Sequence, residues 1–177
     1  EYYNQSRIVA YSTGCVYPLV SVESGGSKET DTPEPVGEYA QSCLGRERMF
    51  EYGSRKYGTP VSIIRLNYAV EPRYGVLVDI AQKVYNNVPV ELNMGFFNII
   101  WQGDANNAVL CSLDHANSPA TILNITGPEI LTVREVATEF GKLFGKEVRF
   151  TGKEASTALL SNPSKAVSLF GNPGFPV

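Results

Sequence analysis

Histidine is nearly missing from this sequence. The chain has one, His115, and three cysteines at wide spacing, Cys15, Cys43 and Cys111, with no CxxC pair. Multi-histidine zinc sites and a Ser-His-Asp triad built on any other histidine are thereby excluded. An odd number of scattered thiols in 177 residues is no disulfide framework, so a reducing, cytoplasmic setting is the expectation. Charge of one sign is also missing: 15 basic residues stand against 18 acidic ones, scattered rather than clustered. That removes the electrostatic footprint of a nucleic-acid or anionic-membrane binder, and neither is expected as a partner. No apolar run approaches the roughly 20 residues of a membrane helix, and the chain does not open on a basic-then-apolar, signal-like segment. Internal repeats and low-complexity tracts are absent too.

What is present is enough apolar sequence, 43% of the chain, to bury a core of single-domain size. Arg7 to Tyr11 reads as a short buried strand, followed by the small polar run Ser12-Thr13-Gly14. From Tyr17 to about Val36 runs a loop rich in Gly, Ser, Pro and acidic residues, a length that in a compact domain signals function or mobility. Helical patterning spans about Gly37 to Lys56, weakened at Gly45, with Gly53 and Gly58 marking its end. Val61 to Leu66 is a β-branched strand, and helical spacing returns at Val76, Leu77, Ile80, Ala81 and Val84. Short extended segments near Val90 to Leu92 and Asn98 to Trp101 precede a helix for which Asp104 is the expected N-cap. That helix is expected to end near His115 in Asp114-His115-Ala116-Asn117, with the imidazole in solvent at the negative end of the dipole rather than in a catalytic role. Thr121 to Ile125 reads as a third buried strand. A capping box at Thr132-Val133-Arg134-Glu135 then opens a helix with Val133, Val136, Ala137, Phe140, Leu143 and Phe144 on one face.

Apolar strands alternating with amphipathic helices predict an α/β fold whose parallel sheet is covered on both faces. Ligands in such sheets sit beyond the carboxyl ends of the strands. Here those ends deliver Ser12-Thr13, Asn67-Tyr68 and Thr126-Gly127, which makes these the first site candidates. On the helix after the first strand, Tyr39 and Cys43 are four residues apart and so share a face. A hydroxyl at a strand end and a phenol on the next helix could converge over a ligand.

Tyr11-Ser12-Thr13-Gly14-Cys15-Val16-Tyr17, Tyr39-x-x-x-Cys43 with Glu47, Arg65-Leu66-Asn67, Ile100 to Asp104, and Leu123-Asn124-Ile125-Thr126-Gly127 with Leu131-Thr132-Val133 together resemble the extended short-chain dehydrogenase/reductase family, the NAD-dependent sugar epimerases and dehydratases. The resemblance runs through nearly the whole chain and begins at the family's fifth strand, so the sequence is expected to be the C-terminal part of a longer enzyme. It implies a Rossmann-type doubly wound sheet with a smaller α/β substrate lobe. Residues 1–66 and 102–126 would belong to the dinucleotide-binding domain, 67–101 and 127–177 to the lobe. By the same resemblance Thr13 would bind the reacting oxygen and Tyr39 would be the general acid/base. Ser12, Thr13, Tyr39, Cys43 and Asn67 would line a bound NAD or NADP, and a homodimer is suggested. The Gly-rich phosphate turn of a first strand is not in the sequence, since Gly25-Gly26 follows a later one.

Two positions depart from the family pattern. A lysine four residues after the tyrosine lowers the phenol's pKa from about 10 in family members, and Cys43 stands in its place; Arg46, seven residues past Tyr39, is the nearby cation on that face. Phe97 occupies the place where many members carry an arginine for a sugar-nucleotide diphosphate. Arg73, before the next helix, is read as an exposed loop residue or as an anion contact. With Tyr68, these two complete the expected substrate-binding set, for a small sugar-type molecule. The activity implied is hydride transfer at a sugar hydroxyl. The alternative is a catalytically impaired NAD(P)-binding or regulatory protein of the same fold, with Cys43 as the telling residue.

Overall fold

The structure is a computed structural model that describes residues 5–175; the outermost domain limits expected at residues 1 and 177 lie outside it. In chain order the elements are β1 (Ile8–Thr13), β2 (Val20–Ser21), α1 (Gly37–Tyr57), β3 (Val61–Leu66), β4 (Ala69–Val70), α2 (Val76–Tyr85), β5 (Val90–Glu91), β6 (Phe96–Phe97) and β7 (Ile100–Trp101). There follow α3 (Gln102–Cys111), β8 (Thr121–Ile125), β9 (Leu131–Thr132), α4 (Val133–Phe144), β10 (Phe150–Thr151), β11 (Thr157–Ala158) and α5 (Ser164–Phe170). Short 3-10 turns at Gly14–Val16 and Ser112–His115 follow β1 and α3.

The three strands read from β-branched and apolar runs form one parallel sheet in the order β1-β3-β8. One face carries Ala10, Val61 and Ile63 under Phe50 of α1. The other carries Ile64, Leu123 and Ile125 under Ala105 and Val109 of α3 and Ala166 of α5. Helices thus cover both faces, as the alternating pattern predicts. That second layer reaches Val9 of β1 but leaves its Tyr11 exposed. The two edges also differ. On β8 the outward backbone groups are bonded by side chains, Asn124 N to the Glu29 carboxylate at 2.9 Å and Ile122 O to Lys165 Nζ at 2.8 Å. The outer edge of β1 has no strand partner among the described residues.

A separate core gathers α2, α4 and the short strands around Ile80, Val84, Val90, Leu92, Phe97, Ile99, Val133 and Ala137. Here β5 pairs with β10, and β6 with β9. Strand β6 was not expected from the sequence, because two consecutive phenylalanines show no alternation.

Several expectations are corrected. Helix α3 begins at Gln102, and Asp104 lies in its first turn, where its carboxylate accepts the backbone N–H of Phe175 at 2.9 Å instead of capping the helix. In α4, Val133, Val136, Ala137 and Phe140 face the core, Leu143 is exposed, and Phe144 sits at the rim, its ring against Phe140 and against Tyr85 of α2. His115 ends a 3-10 turn, half-buried with its ring 5.4 Å from that of Phe170, so it is not a solvated residue. The long segment after Tyr17 is fastened down: β2 pairs antiparallel with β11, Ser27 bridges to Ser161, and Glu34 N bonds Val16 O. The capping box does form, with Thr132 Oγ1 accepting Glu135 N at 3.0 Å, and Gly145 in a left-handed conformation ends the helix. Among the described residues no helix is long and apolar enough to cross a membrane.

Candidate functional site

The carboxyl ends of β1 and β3 and the turn after β8 come together as the strand reading predicts. At the end of β1, Thr13 is buried and its Oγ1 accepts Cys15 N at 3.2 Å, capping the turn that leads away. Its hydroxyl proton has no partner among the described residues. Gly14 passes so close to β3 that a Cβ there would stand 2.8 Å from Asn67 Oδ1 and 3.0 Å from Ser161 Oγ, so only glycine fits. Asn67 is buried, with its N–H on Ile125 O at 3.0 Å and its amide nitrogen on Asn98 Oδ1 at 2.8 Å. Asn98 in turn donates to Ser161 O at 2.6 Å and Gly127 O at 3.3 Å. One chain of amides therefore holds the turn after β8 and the segment before α5 against Asn67. Sequence reasoning did not single out Asn98; a polar residue inside the apolar run Gly95–Ile100 was the available signal.

Ser12 is turned the other way. Its hydroxyl donates to Glu47 of α1, which also receives the Arg65 guanidinium through Nε at 3.0 Å and Nη2 at 2.7 Å. Arg65 Nη1 donates to Tyr17 Oη at 2.7 Å, and Tyr17 donates to Asn124 Oδ1 at 2.9 Å. Burial pushes the Tyr17 phenol above its ordinary value, outweighing the opposing Arg65 cation and its hydrogen bonds. Burial opposes the Arg65 charge, but the hydrogen bonds to Glu47 and Tyr17 and the Glu47 carboxylate charge win and hold it protonated. The signal for this network was a charged residue in the otherwise apolar run VSIIRL, which must find a partner.

On α1, Tyr39 and Cys43 part company. Tyr39 in the first turn is 65% exposed, whereas Cys43 is 2% exposed, packed with Val16 and Tyr17. The buried stripe of the helix is Ala40, Cys43, Glu47 and Ser54. Arg46 donates to Cys43 Sγ at 3.4 Å, so its guanidinium lies beside the thiol.

Of the expected substrate residues, Tyr68 and Phe97 meet and Arg73 does not join them. Tyr68 has a left-handed backbone, φ 43°, which is unusual for a bulky residue and of the kind found at functional sites. Its phenol is pushed up by burial, with Cys15 adding to the effect. Its ring meets Phe97 edge-on at 6.5 Å. Both line a cavity of about 360 Å³ with Val76, Asp79, Lys83 and Asn93. Phe97 is itself buried in the core, forming part of the cavity's floor. Arg73 is exposed in the turn before α2, paired with Glu71 at 2.9 Å.

No family model matches the sequence, and no curated protein matches it. Solved structures do resemble the fold. UDP-glucose 4-epimerase of Thermus thermophilus, in complex with NAD, superposes with a TM-score of 0.79 at 22% identity, over 99% of this chain and 61% of that one. A dTDP-glucose 4,6-dehydratase from Bacillus anthracis, in complex with NAD, gives 0.82 at 18% identity, over 98% and 58%. UDP-glucuronic acid 4-epimerase from Bacillus cereus, in complex with UDP-glucuronic acid and NAD, gives 0.78 at 18% identity, over 95% and 56%. These likenesses show the fold, a Rossmann-type α/β arrangement, and the chain spans about three-fifths of the length of those proteins.

Proposed function

We propose that the chain is part of an NAD(P)-dependent epimerase- or dehydratase-like enzyme acting on a hydroxyl of a sugar-type molecule. The observation that carries this is the convergence at the carboxyl ends of parallel strands of Thr13, whose hydroxyl proton has no partner among the described residues, and Asn67, packed on Gly14, beside a helix with an exposed tyrosine in its first turn. A bound nicotinamide would supply hydride acceptance and return. Thr13, Asn67 and Tyr39 fit the reacting end of such a cofactor: the Thr13 hydroxyl proton has no partner among the described residues, and Tyr39 is unencumbered. Ser12 and Cys43 do not fit as direct contacts, since Ser12 is committed to Glu47 and Cys43 is buried. They act from behind. In the reaction the Thr13 hydroxyl donates to the substrate oxygen and Tyr39 exchanges the hydroxyl proton. The cavity at Tyr68 and Phe97 would take the remainder of the substrate, its apolar floor and the Asp79, Lys83 and Asn93 rim suiting a ring with hydroxyls. The segments 67–101 and 127–177 would then form the substrate lobe.

A second reading is favoured by Cys43: a buried thiol cannot replace an ammonium, so the protein would bind the cofactor without turnover. Titration of NADH and NADPH into the protein, followed by fluorescence, tests both readings. The enzyme reading expects binding of one cofactor, with Tyr39→Phe keeping that binding while lowering turnover on a sugar-alcohol panel about a hundredfold or more. The second expects binding with no Tyr39-dependent turnover. Binding of neither by folded protein overturns both.

A further inference from the structure

Ser12, Arg65 and Asn124 are opposite one another in register across the three strands. They form an unbroken polar row on the face covered by α1. The helix answers with a single carboxylate, Glu47, which takes the fork of Arg65 and the hydroxyl of Ser12 together. Both ionic side chains are almost wholly buried, 3% and 2% exposed. The row continues outward, since Asn124 donates to Ser27 O at 2.9 Å and Asn162 O at 3.3 Å.

We propose that Glu47 is a positioning residue: by gripping Ser12 and Arg65 at once it sets where α1 stands along the sheet, and so the placement of Tyr39 relative to Thr13. This rests on the reading of Thr13 and Tyr39 given above. Ser12 is the immediate neighbour of Thr13, and Glu47 lies on the helix of Tyr39, so one carboxylate joins the two elements that carry the proposed chemistry. The apolar contacts of α1, through Ala40, Cys43, Leu44 and Phe50, are non-directional, and its other directional tie, Ser54 to Asn117 and Ser118, lies toward the end of the helix away from Tyr39. A bidentate guanidinium–carboxylate pair is directional in both distance and plane. From Glu47 to Tyr39 is eight residues, about 12 Å of rigid helix, so a turn of the helix at one end is carried to the other. A buried ion pair is a poor device for stability alone, since apolar replacements of similar volume are often neutral or better. Stability and positioning can therefore be separated.

The test uses the protein labelled with 3-fluorotyrosine, with the Tyr39 resonance identified by Tyr39→Phe, and compares wild type with Glu47→Leu/Arg65→Met and with Ser12→Ala. The double variant is expected to melt within about 5 °C of wild type. Its Tyr39 fluorine resonance moves or broadens, and its affinity for NADH or NADPH, whichever wild type binds, falls about tenfold. Ser12→Ala, which removes one hydroxyl and leaves the ion pair, shifts the same resonance less. Folded variants with an unchanged Tyr39 resonance overturn the proposal, and if the double variant does not fold, Ser12→Ala alone decides. Wild type that binds neither cofactor overturns the functional reading, while the resonance still decides the positioning.

Discussion

At Tyr17 and Tyr68, burial holds two of the ten tyrosines neutral beyond the ordinary phenol range. The folded state keeps these protons after the unfolded chain has lost them. Their contribution to stability is therefore complete below pH about 10 and is lost as pH rises above it. Spectrophotometric titration is expected to show two phenols ionising late, together with a fall in melting temperature over the same interval; uniform titration of all ten near pH 10 would contradict it. Thr13, Asn67 and Tyr68 were legible because strand ends in parallel sheets are where ligands gather. Tyr17 and Asn124 were not, because their importance comes from Arg65, and a side chain's partner across 48 or 107 positions leaves no local trace. Tyr39 and Cys43 were read as sharing a face, which spacing supports. Spacing alone did not reveal that the sheet's end divides that face between solvent and core.

Among the elements, helices with glycine exits were read closely. Helix α1 ends at left-handed Gly58 and α4 at left-handed Gly145, both positive-φ positions that stop a helix. Helix α3 was misread by two residues because Asp104, a typical cap by type, is occupied by the backbone of Phe175. Helix α5 was not read at all, since seven residues after Pro163 carry too little periodicity. At α4 the cap is a measurable quantity. Thr132→Ala removes the acceptor of Glu135 N and is expected to cost about 1 kcal/mol, seen as a lower denaturant midpoint at unchanged slope, with Thr132→Ser retaining most of it. An effect on cofactor affinity as large as that on stability would show that α4 does more than build the lobe.

For the whole molecule, the parallel α/β class followed from alternating strands and helices, while the short pairs, β2 with β11 and β6 with β9, join distant two-residue segments that no local pattern announces. The segment from Tyr17 to Val36 illustrates the cost of reading composition alone. It looks mobile, yet it is tied at β2, Ser27, Lys28 N to Asp31, and Glu34. Lys28 is the one tryptic site within it, and cleavage there is expected only at the rate of global unfolding, readable by mass spectrometry of a timed digest; early cutting after Lys28 would show that the ties do not hold. The unequal edges of the main sheet have a consequence for assembly. A fibre needs two sticky ends on every unit, one to receive and one to offer. Glu29 and Lys165 bond two outward groups of β8, Asn124 N and Ile122 O, so that end is blunted and edge-to-edge stacking of copies cannot propagate through it.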